Sequence, residues 1–183
     1  MKLQSVINNR IQATIGAFIL TFACILWEYF NGGVVSHHLL AREDLPAFSN
    51  WWGLLTVPLL FWIAISLINR RQENSDELKS NFQENETAVF RRFIAALVFG
   101  ILISLLWEFK FESILKYLIL FPILVAFFIP VHLPEYLMGF VLGMIFTFGG
   151  VLPIIIGVIL LVACLIINRL VRFFRTLIKS KAG

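Results

Sequence analysis

The stretch YLMGFVLGMIFTFGGVLPIIIGVILLVACLII occupies residues 136–167 and contains no charged side chain. As a single α-helix it would measure about 48 Å at a rise of 1.5 Å per residue, whereas the hydrocarbon core of a bilayer is about 30 Å thick. Gly149, Gly150 and Pro153 lie in its middle. Glycine relaxes the backbone, and proline removes a helical hydrogen bond and clashes with the preceding turn. The stretch therefore predicts two apolar segments separated by a break.

The rest of the chain is similarly apolar. Of its 183 residues, 60% are hydrophobic and 14% are charged, and the mean hydropathy is +0.89. Soluble domains contain about 45–50% apolar and about 25% charged residues. This chain therefore has more apolar surface than it can bury within its own volume. The composition excludes a typical soluble enzyme, a disordered protein and a disulfide-stapled secreted domain, and it predicts that lipid surrounds the molecule.

The apolar runs predict one polytopic membrane domain over residues 1–183. Its expected fold class is an all-α integral membrane protein, a compact bundle of about six transmembrane segments. Segment five is short, so we expect it to be tilted, re-entrant or packed inside the bundle. The predicted spans are 11–30, 51–68, 93–109, 114–131, 136–148 and 152–168.

Basic residues are distributed unevenly around these spans. With six crossings, twelve of the fifteen lysines and arginines fall on one side of the membrane and three on the other. Because basic residues concentrate in cytoplasmic loops, both termini are expected in the cytoplasm, most simply at the plasma (inner) membrane of a bacterium. Residues 69–92 would form a cytoplasmic linker and residues 169–183 a basic cytoplasmic tail. A nucleic-acid partner is not expected, because the basic residues flank apolar segments.

Motifs for common cofactors are missing from the sequence. Cys24 and Cys164 both lie in apolar runs, and there is no CxxC pair to form a zinc ribbon. There is also no P-loop for a nucleotide, and no histidine lies in the middle of a predicted span, where it could hold haem. The sequence therefore leaves the cofactor unknown.

Candidate binding residues lie at the predicted outer end of the bundle. Glu28 and Glu108 each follow a tryptophan at the carboxyl end of a predicted helix, where the helix dipole disfavours negative charge. A carboxylate near lipid is also costly unless it is paired or hydrated. Between the first two spans, Ser36 would cap a short helix that ends near Asp44, before Pro46. The candidate ligand-binding residues are Glu28, His37, His38, Arg42, Asp44, Trp51, Trp52 and Glu108.

These residues also have a purely structural interpretation. The acids would be hydrated residues at the interface, the short helix would lie on the membrane surface, and Trp51 and Trp52 would be interfacial anchors. The loop contains no HxxxH or HExxH spacing, which weakens a metal site formed by the loop alone. If a metal binds, its candidate ligands are Glu28, His37, Asp44 and Glu108.

Other short patterns concern packing and the opposite end of the bundle. Gly139 with Gly143, and Ala13 with Ala17, are spaced for close helix approach, either within the chain or between chains. Between predicted spans four and five, His132 and Glu135 would form a second polar site or, more simply, a solvated turn.

Three functions fit these features. The favoured one is binding or transport of a small molecule through an outward-facing cavity under the 31–50 loop. The alternatives are an accessory membrane subunit that binds partner helices, and a membrane-embedded enzyme that acts on a lipid through outer-face Glu and His residues; overall, a non-enzymatic role is favoured. The expected partners are the lipid bilayer and either a small-molecule ligand or a partner membrane protein. The six-span layout resembles the substrate-binding components of vitamin importers, and this resemblance implies a ligand site under an outer loop.

Overall fold

The computed structural model describes residues 2–38, 44, 47–75 and 82–181, and most of them are helical. In chain order the elements are α1 (Lys2–Phe30), β1 (Ser36–His38), β2 (Ala47–Ser49), α2 (Gly53–Ser75), α3 (Phe82–Glu108), α4 (Glu112–Leu118), α5 (Phe121–Val125), α6 (Pro134–Phe148) and α7 (Val151–Lys181). Four of these helices, α1, α2, α3 and α7, are long and apolar enough to cross a membrane.

The outside of this bundle is apolar. Only 22–28% of the residues in the apolar windows of the four long helices are buried. Large side chains such as Phe30, Val98, Ile159 and Phe174 are exposed along these helices. Soluble monomers rarely expose apolar surface of this extent. The helices therefore fit a membrane protein, as the composition predicts.

Glycines bring α3 and α6 into close contact. A Cβ atom on Gly139 would collide with the backbone oxygen of Phe93, and one on Gly143 would lie 2.5 Å from that of Leu97. Small residues permit such close approach between helices in a membrane. The GxxxG pair therefore serves packing within the chain.

The other small-residue pair also packs inside the chain. Ala17 is buried in a core with Val57 and Phe61 of α2 and Val141 of α6, and Ala13 packs against the same core. The contacts of Ala13 and Ala17 thus join α1 to its neighbours.

The predicted break lies between α6 and α7. Helix α6 ends at Phe148, and Gly149 has a φ of +67°, a conformation that side chains with a Cβ rarely adopt. As expected, the apolar helix before the break is short, at 15 residues. Helix α7 then continues for 31 residues, about 46 Å at 1.5 Å per residue, so the basic tail extends the last helix.

The predicted fourth span, 114–131, is not one continuous helix. It contains the short helices α4 and α5, followed by hydrogen-bonded turns. Pro122 stands at the start of α5, where its missing N–H and its ring prevent a regular helix from continuing out of α4. The expectation of a single helical span here is wrong for this physical reason.

The chain nevertheless runs from one end of the bundle to the other between α3 and α6. Helix α5 lies parallel to α7, because Cys164 Sγ contacts the Pro122 oxygen at 3.5 Å and Asn168 Nδ2 donates to the Ala126 oxygen at 3.4 Å. The first turn of α6 contacts Arg92 of α3. Arg92 lies sixteen residues before the end of α3, a helical length of about 24 Å.

The connection between α1 and α2 forms a β-hairpin. Strands β1 and β2 pair antiparallel, with Ser36 opposite Ser49 and His38 opposite Ala47. Gly32 and Gly33, both at positive φ, turn the chain after α1. The predicted short helix is therefore wrong at 36–38, because strand pairing satisfies this backbone; residues 39–43 lie outside the described residues.

Candidate functional site

Glu28, near the end of α1, accepts hydrogen bonds from the segment before β1 and from the turn before α2. Its Oε1 accepts a hydrogen bond from Asn50 Nδ2 at 2.7 Å, and its Oε2 accepts one from the Val35 N–H at 3.2 Å. Asn50 is 4% exposed, and its amide packs directly against Gly149 in the break. Hydrogen-bond donors to both oxygens compensate for the hydration that the half-buried carboxylate loses. We call the end of the bundle where Glu28, Val35, Asn50 and Gly149 lie the Glu28 end.

Glu108 and the tryptophans occupy exposed positions near the same end. The Trp107 ring contacts Phe148, just before Gly149, with 5.3 Å between ring centroids, so the following residue, Glu108, also lies at the Glu28 end. Trp51 and Trp52 are 51% and 59% exposed. Ser49 caps the turn that precedes α2, its Oγ accepting from the Trp51 N–H at 3.5 Å.

The remaining candidates belong to the hairpin. The backbones of His37 and His38 lie in β1, Asp44 is exposed, and Arg42 lies outside the described residues. Within residues 2–38, 44, 47–75 and 82–181, no group of three or more His, Cys, Asp or Glu is arranged to hold a metal ion. A shared outer cavity formed by these residues stays a prediction.

The opposite end of the bundle contains a buried ion-paired carboxylate. Glu135, in the first turn of α6, is 1% exposed. Its Oε1 accepts hydrogen bonds from Arg71 Nη2 at 2.9 Å and Arg92 Nη1 at 3.0 Å. These arginines come from α2 and α3, so one carboxylate joins three helices. The carboxylate is buried, whereas the Arg71 and Arg92 side chains are 34% and 31% exposed.

The Glu135 contacts correct the simpler sequence-based interpretation of this turn. The sequence favoured a solvated turn for His132 and Glu135, with a polar site as the alternative. The structure buries Glu135 between guanidinium groups. Arg71 and Arg92 carry the only sequence signal for this pairing, and that signal is weak, because positive charges at span ends are also explained by membrane orientation.

Further positive charge lies near His132 at this end of the bundle. Burial lowers the pKa of its imidazole, and the nearby Arg172, Arg169 and Arg71 lower it further, whereas Glu135 raises it. His132 is therefore neutral at pH 7. Arg169 and Arg172 follow Asn168, which contacts Ala126, so this part of α7 lies at the same end of the bundle as His132. We call His132, Glu135, Arg71, Arg92, Arg169 and Arg172 the Glu135 cluster.

An apolar cavity of about 360 Å³ lies between α3, α5, α6 and α7. Apart from the Tyr136 hydroxyl and the Cys164 thiol, its lining side chains are apolar. Val98, Leu102 and Phe121 line it and are also exposed, so the cavity opens on the lipid-facing side of the bundle. The short helices around Pro122 leave this space, since no full-length helix packs there.

Sequence reasoning missed this cavity. Its lining residues come from four separate elements, and each looks like an ordinary apolar residue of a membrane helix. Proline is a sequence signal for a kink or a cavity in a membrane helix, but Pro58 and Pro122 carry the same signal and only Pro122 lines the cavity. Comparisons of the chain with protein-family models, with curated proteins and with solved structures give no match.

Proposed function

We propose that this protein is a multi-pass membrane protein that binds a hydrophobic or amphipathic small molecule in the cavity between α3, α5, α6 and α7. The cavity itself carries the proposal. Its volume of about 360 Å³ lies within the usual range of small-molecule pockets, about 300–1,000 Å³. An apolar cavity of about 150 Å³ already suffices to bind benzene.

Access from the bilayer determines which ligands reach the cavity. The exposed lining residues Val98, Leu102 and Phe121 place the opening among lipid chains. A ligand dissolved in lipid gains little from the hydrophobic effect on entry, because lipid tails are as apolar as leucine side chains. Binding would therefore depend on packing against a fixed surface, which selects a ligand by shape.

The proposal includes six crossings, with residues 114–131 as an irregular fourth crossing. The contact between Arg92 and Glu135 supports it, since it returns the chain to the opposite end of α3. The parallel course of α5 and α7 supports it as well. The proposal also places the protein in a bacterial plasma membrane with both termini in the cytoplasm, and the distribution of basic residues supports this orientation by the positive-inside rule.

The proposed place of binding differs from the one expected from sequence. That expectation put the ligand under the 31–50 loop, where Glu28 now contacts Asn50 and Val35. Of the alternative functions, the accessory role loses the support of the small-residue pairs, because both pairs pack within the chain.

The test uses a polyene fatty alcohol, whose fluorescence rises when its chain enters an apolar site. We expect the purified protein in detergent to bind it saturably. Val98→Trp should weaken binding at least about tenfold, or about 1.4 kcal/mol, by filling the cavity mouth. Val162→Trp is the matched control, because Val162 is exposed on α7 and does not line the cavity. Equal binding by both variants would place the ligand elsewhere and overturn the proposal.

A further inference from the structure

We propose that the ligand is an anionic phospholipid, with its phosphate headgroup at the Glu135 cluster and an acyl chain in the apolar cavity. This inference rests on the proposed function, because it takes the cavity as the binding site. It adds the chemical class of the ligand and the residues that select it.

The cavity and the Glu135 cluster are contiguous. Val131 and Tyr136 line the cavity, and their chain neighbours His132 and Glu135 belong to the cluster. Tyr136 is also within electrostatic reach of Arg92. The cavity is therefore apolar over most of its length and charged at one end, which is the polarity of a lipid molecule.

The charge at that end favours an anion. Two guanidinium groups, those of Arg71 and Arg92, contact the Glu135 carboxylate, Arg169 and Arg172 lie near His132, and Arg91 lies near Tyr136. His132 adds no positive charge at pH 7, and Glu135 offsets one arginine. With Glu135 paired to Arg71 and Arg92, the exposed Arg91, Arg169 and Arg172 leave positive charge at one end of the apolar cavity.

Two of these arginines are placed to reach a ligand. Arg71 and Arg92 are held by Glu135, whereas Arg169 and Arg172 are exposed on α7. A guanidinium matches the geometry of phosphate oxygens and binds them through paired hydrogen bonds. Cationic residues at the ends of membrane helices also lie at the depth of lipid headgroups. Arg169 and Arg172 are therefore the expected phosphate ligands.

The buried carboxylate offers one further contact. Glu135 Oε2 is buried and has no hydrogen-bond partner among the described residues. A buried acceptor without a partner costs about 1–3 kcal/mol. A headgroup hydroxyl, such as that of glycerol, would donate to it. Phosphatidylglycerol supplies both this hydroxyl and the phosphate, so we choose it as the probe.

The experiment compares phosphatidylglycerol with phosphatidylcholine of identical acyl chains, added to the purified full chain in neutral detergent. Bound lipid is counted by native mass spectrometry. We expect phosphatidylglycerol to bind at least about tenfold more tightly. The double variant Arg169→Gln with Arg172→Gln should abolish this preference. The preference is a ratio of two affinities on the same sample, so a general loss of folded protein does not imitate it.

Two controls separate the headgroup from other effects. Lys116→Gln removes an exposed positive charge on α4, outside the cluster, and should leave the preference intact. Arg169→Lys with Arg172→Lys keeps the charge and should retain most of the preference. If the lysine variant loses the preference as fully as the glutamine variant does, the phosphate is bound through the guanidinium geometry and not through charge alone.

Each contrary outcome identifies what fails. If both lipids bind equally and Val98→Trp weakens both, the cavity function stands and the anionic headgroup is wrong. If the preference persists in Val98→Trp with unchanged affinity, the arginines bind lipid at the surface without the cavity. If inorganic phosphate alone stabilises the protein as much as phosphatidylglycerol does, the ligand is a free anion, and the phospholipid proposal is overturned.

Discussion

Three carboxylates at helix ends have three different environments. Glu28 is half-buried and receives two neutral donors, and Glu135 is buried against two arginines. Glu108 is exposed at the end of α3. Glu28 and Glu108 both follow a tryptophan, and yet only tertiary contacts distinguish them. The environment of each acid therefore depends on what the neighbouring elements bring to it.

Replacing Glu28 with alanine should destabilise the protein, whereas Glu108→Ala should not. Glu28→Ala leaves Asn50 Nδ2 and the Val35 N–H without their acceptor, at an expected cost of about 1–3 kcal/mol. Glu108→Ala removes the same charge from a similar helix end and should change stability by less than about 0.5 kcal/mol. Thermal unfolding of both variants in detergent measures the difference. Equal unfolding temperatures would show that the contacts of Glu28 contribute nothing.

At the scale of elements, two breaks in helical structure determine how the helices are arranged. The break at Gly149 and Gly150 lets α6 and α7 pack side by side, and Pro122 divides the predicted fourth span. The first interruption also positions Asn50, whose amide fills the space that a Cβ on Gly149 would take. The break is therefore a contact surface as well as a turn.

Alanine at Gly149 should be strongly destabilising. Its φ of +67° and ψ of −164° lie in a region used almost only by glycine. Holding an alanine in this conformation costs about 1–3 kcal/mol of stability. The new Cβ would also collide with Asn50. Gly16→Ala is the matched control, because nothing lies within 4 Å of a Cβ there and the position is helical. It should be neutral or stabilise by about 0.5–1 kcal/mol. The yield of folded monomer and its unfolding temperature measure both effects, and similar losses in the two variants would refute the argument.

For the whole molecule, charge is separated along the bundle axis. Arg10 lies at the Glu135 end, since its Nη1 donates to Ser66 of α2 at 3.0 Å and its guanidinium stacks on Trp62 at 3.7 Å. Arg71, Arg92 and the arginines of α7 lie at the same end. The Glu28 end carries Glu28 and Glu108, with Lys110 two residues beyond Glu108. Basic residues concentrate on the cytoplasmic side of membrane proteins, so this separation supports the proposed orientation.

The orientation can be measured with single cysteines in a variant whose Cys24 and Cys164 are replaced by alanine. Cysteine at Ser36, in the hairpin of the Glu28 end, should react in intact cells with an impermeant thiol reagent. Cysteine at Ser180, near the end of α7, should react only after the membrane is permeabilised. These results follow from six crossings with cytoplasmic termini. Labelling at Ser180 from outside would rule that topology out.

The sequence by itself determined the membrane class of the helices, the break at Gly149 and the short helix before it. These features depend on local composition and on the backbone freedom of single residues, which are present in the chain before it folds. The helix expected after Ser36 and the continuous fourth span were wrong because strand pairing and the position of Pro122 outweighed hydrophobicity.

Only the tertiary structure decided the Glu135 cluster and the cavity. Glu135 is separated along the chain from Arg71 by 64 residues and from Arg92 by 43, and the cavity is formed by side chains of four elements. Candidate residues at the Glu28 end could be named from sequence, but the donors to Glu28, Asn50 above all, could not. A polar group in an apolar bundle is stabilised by its partners, and partners far apart in the chain meet only when the helices pack.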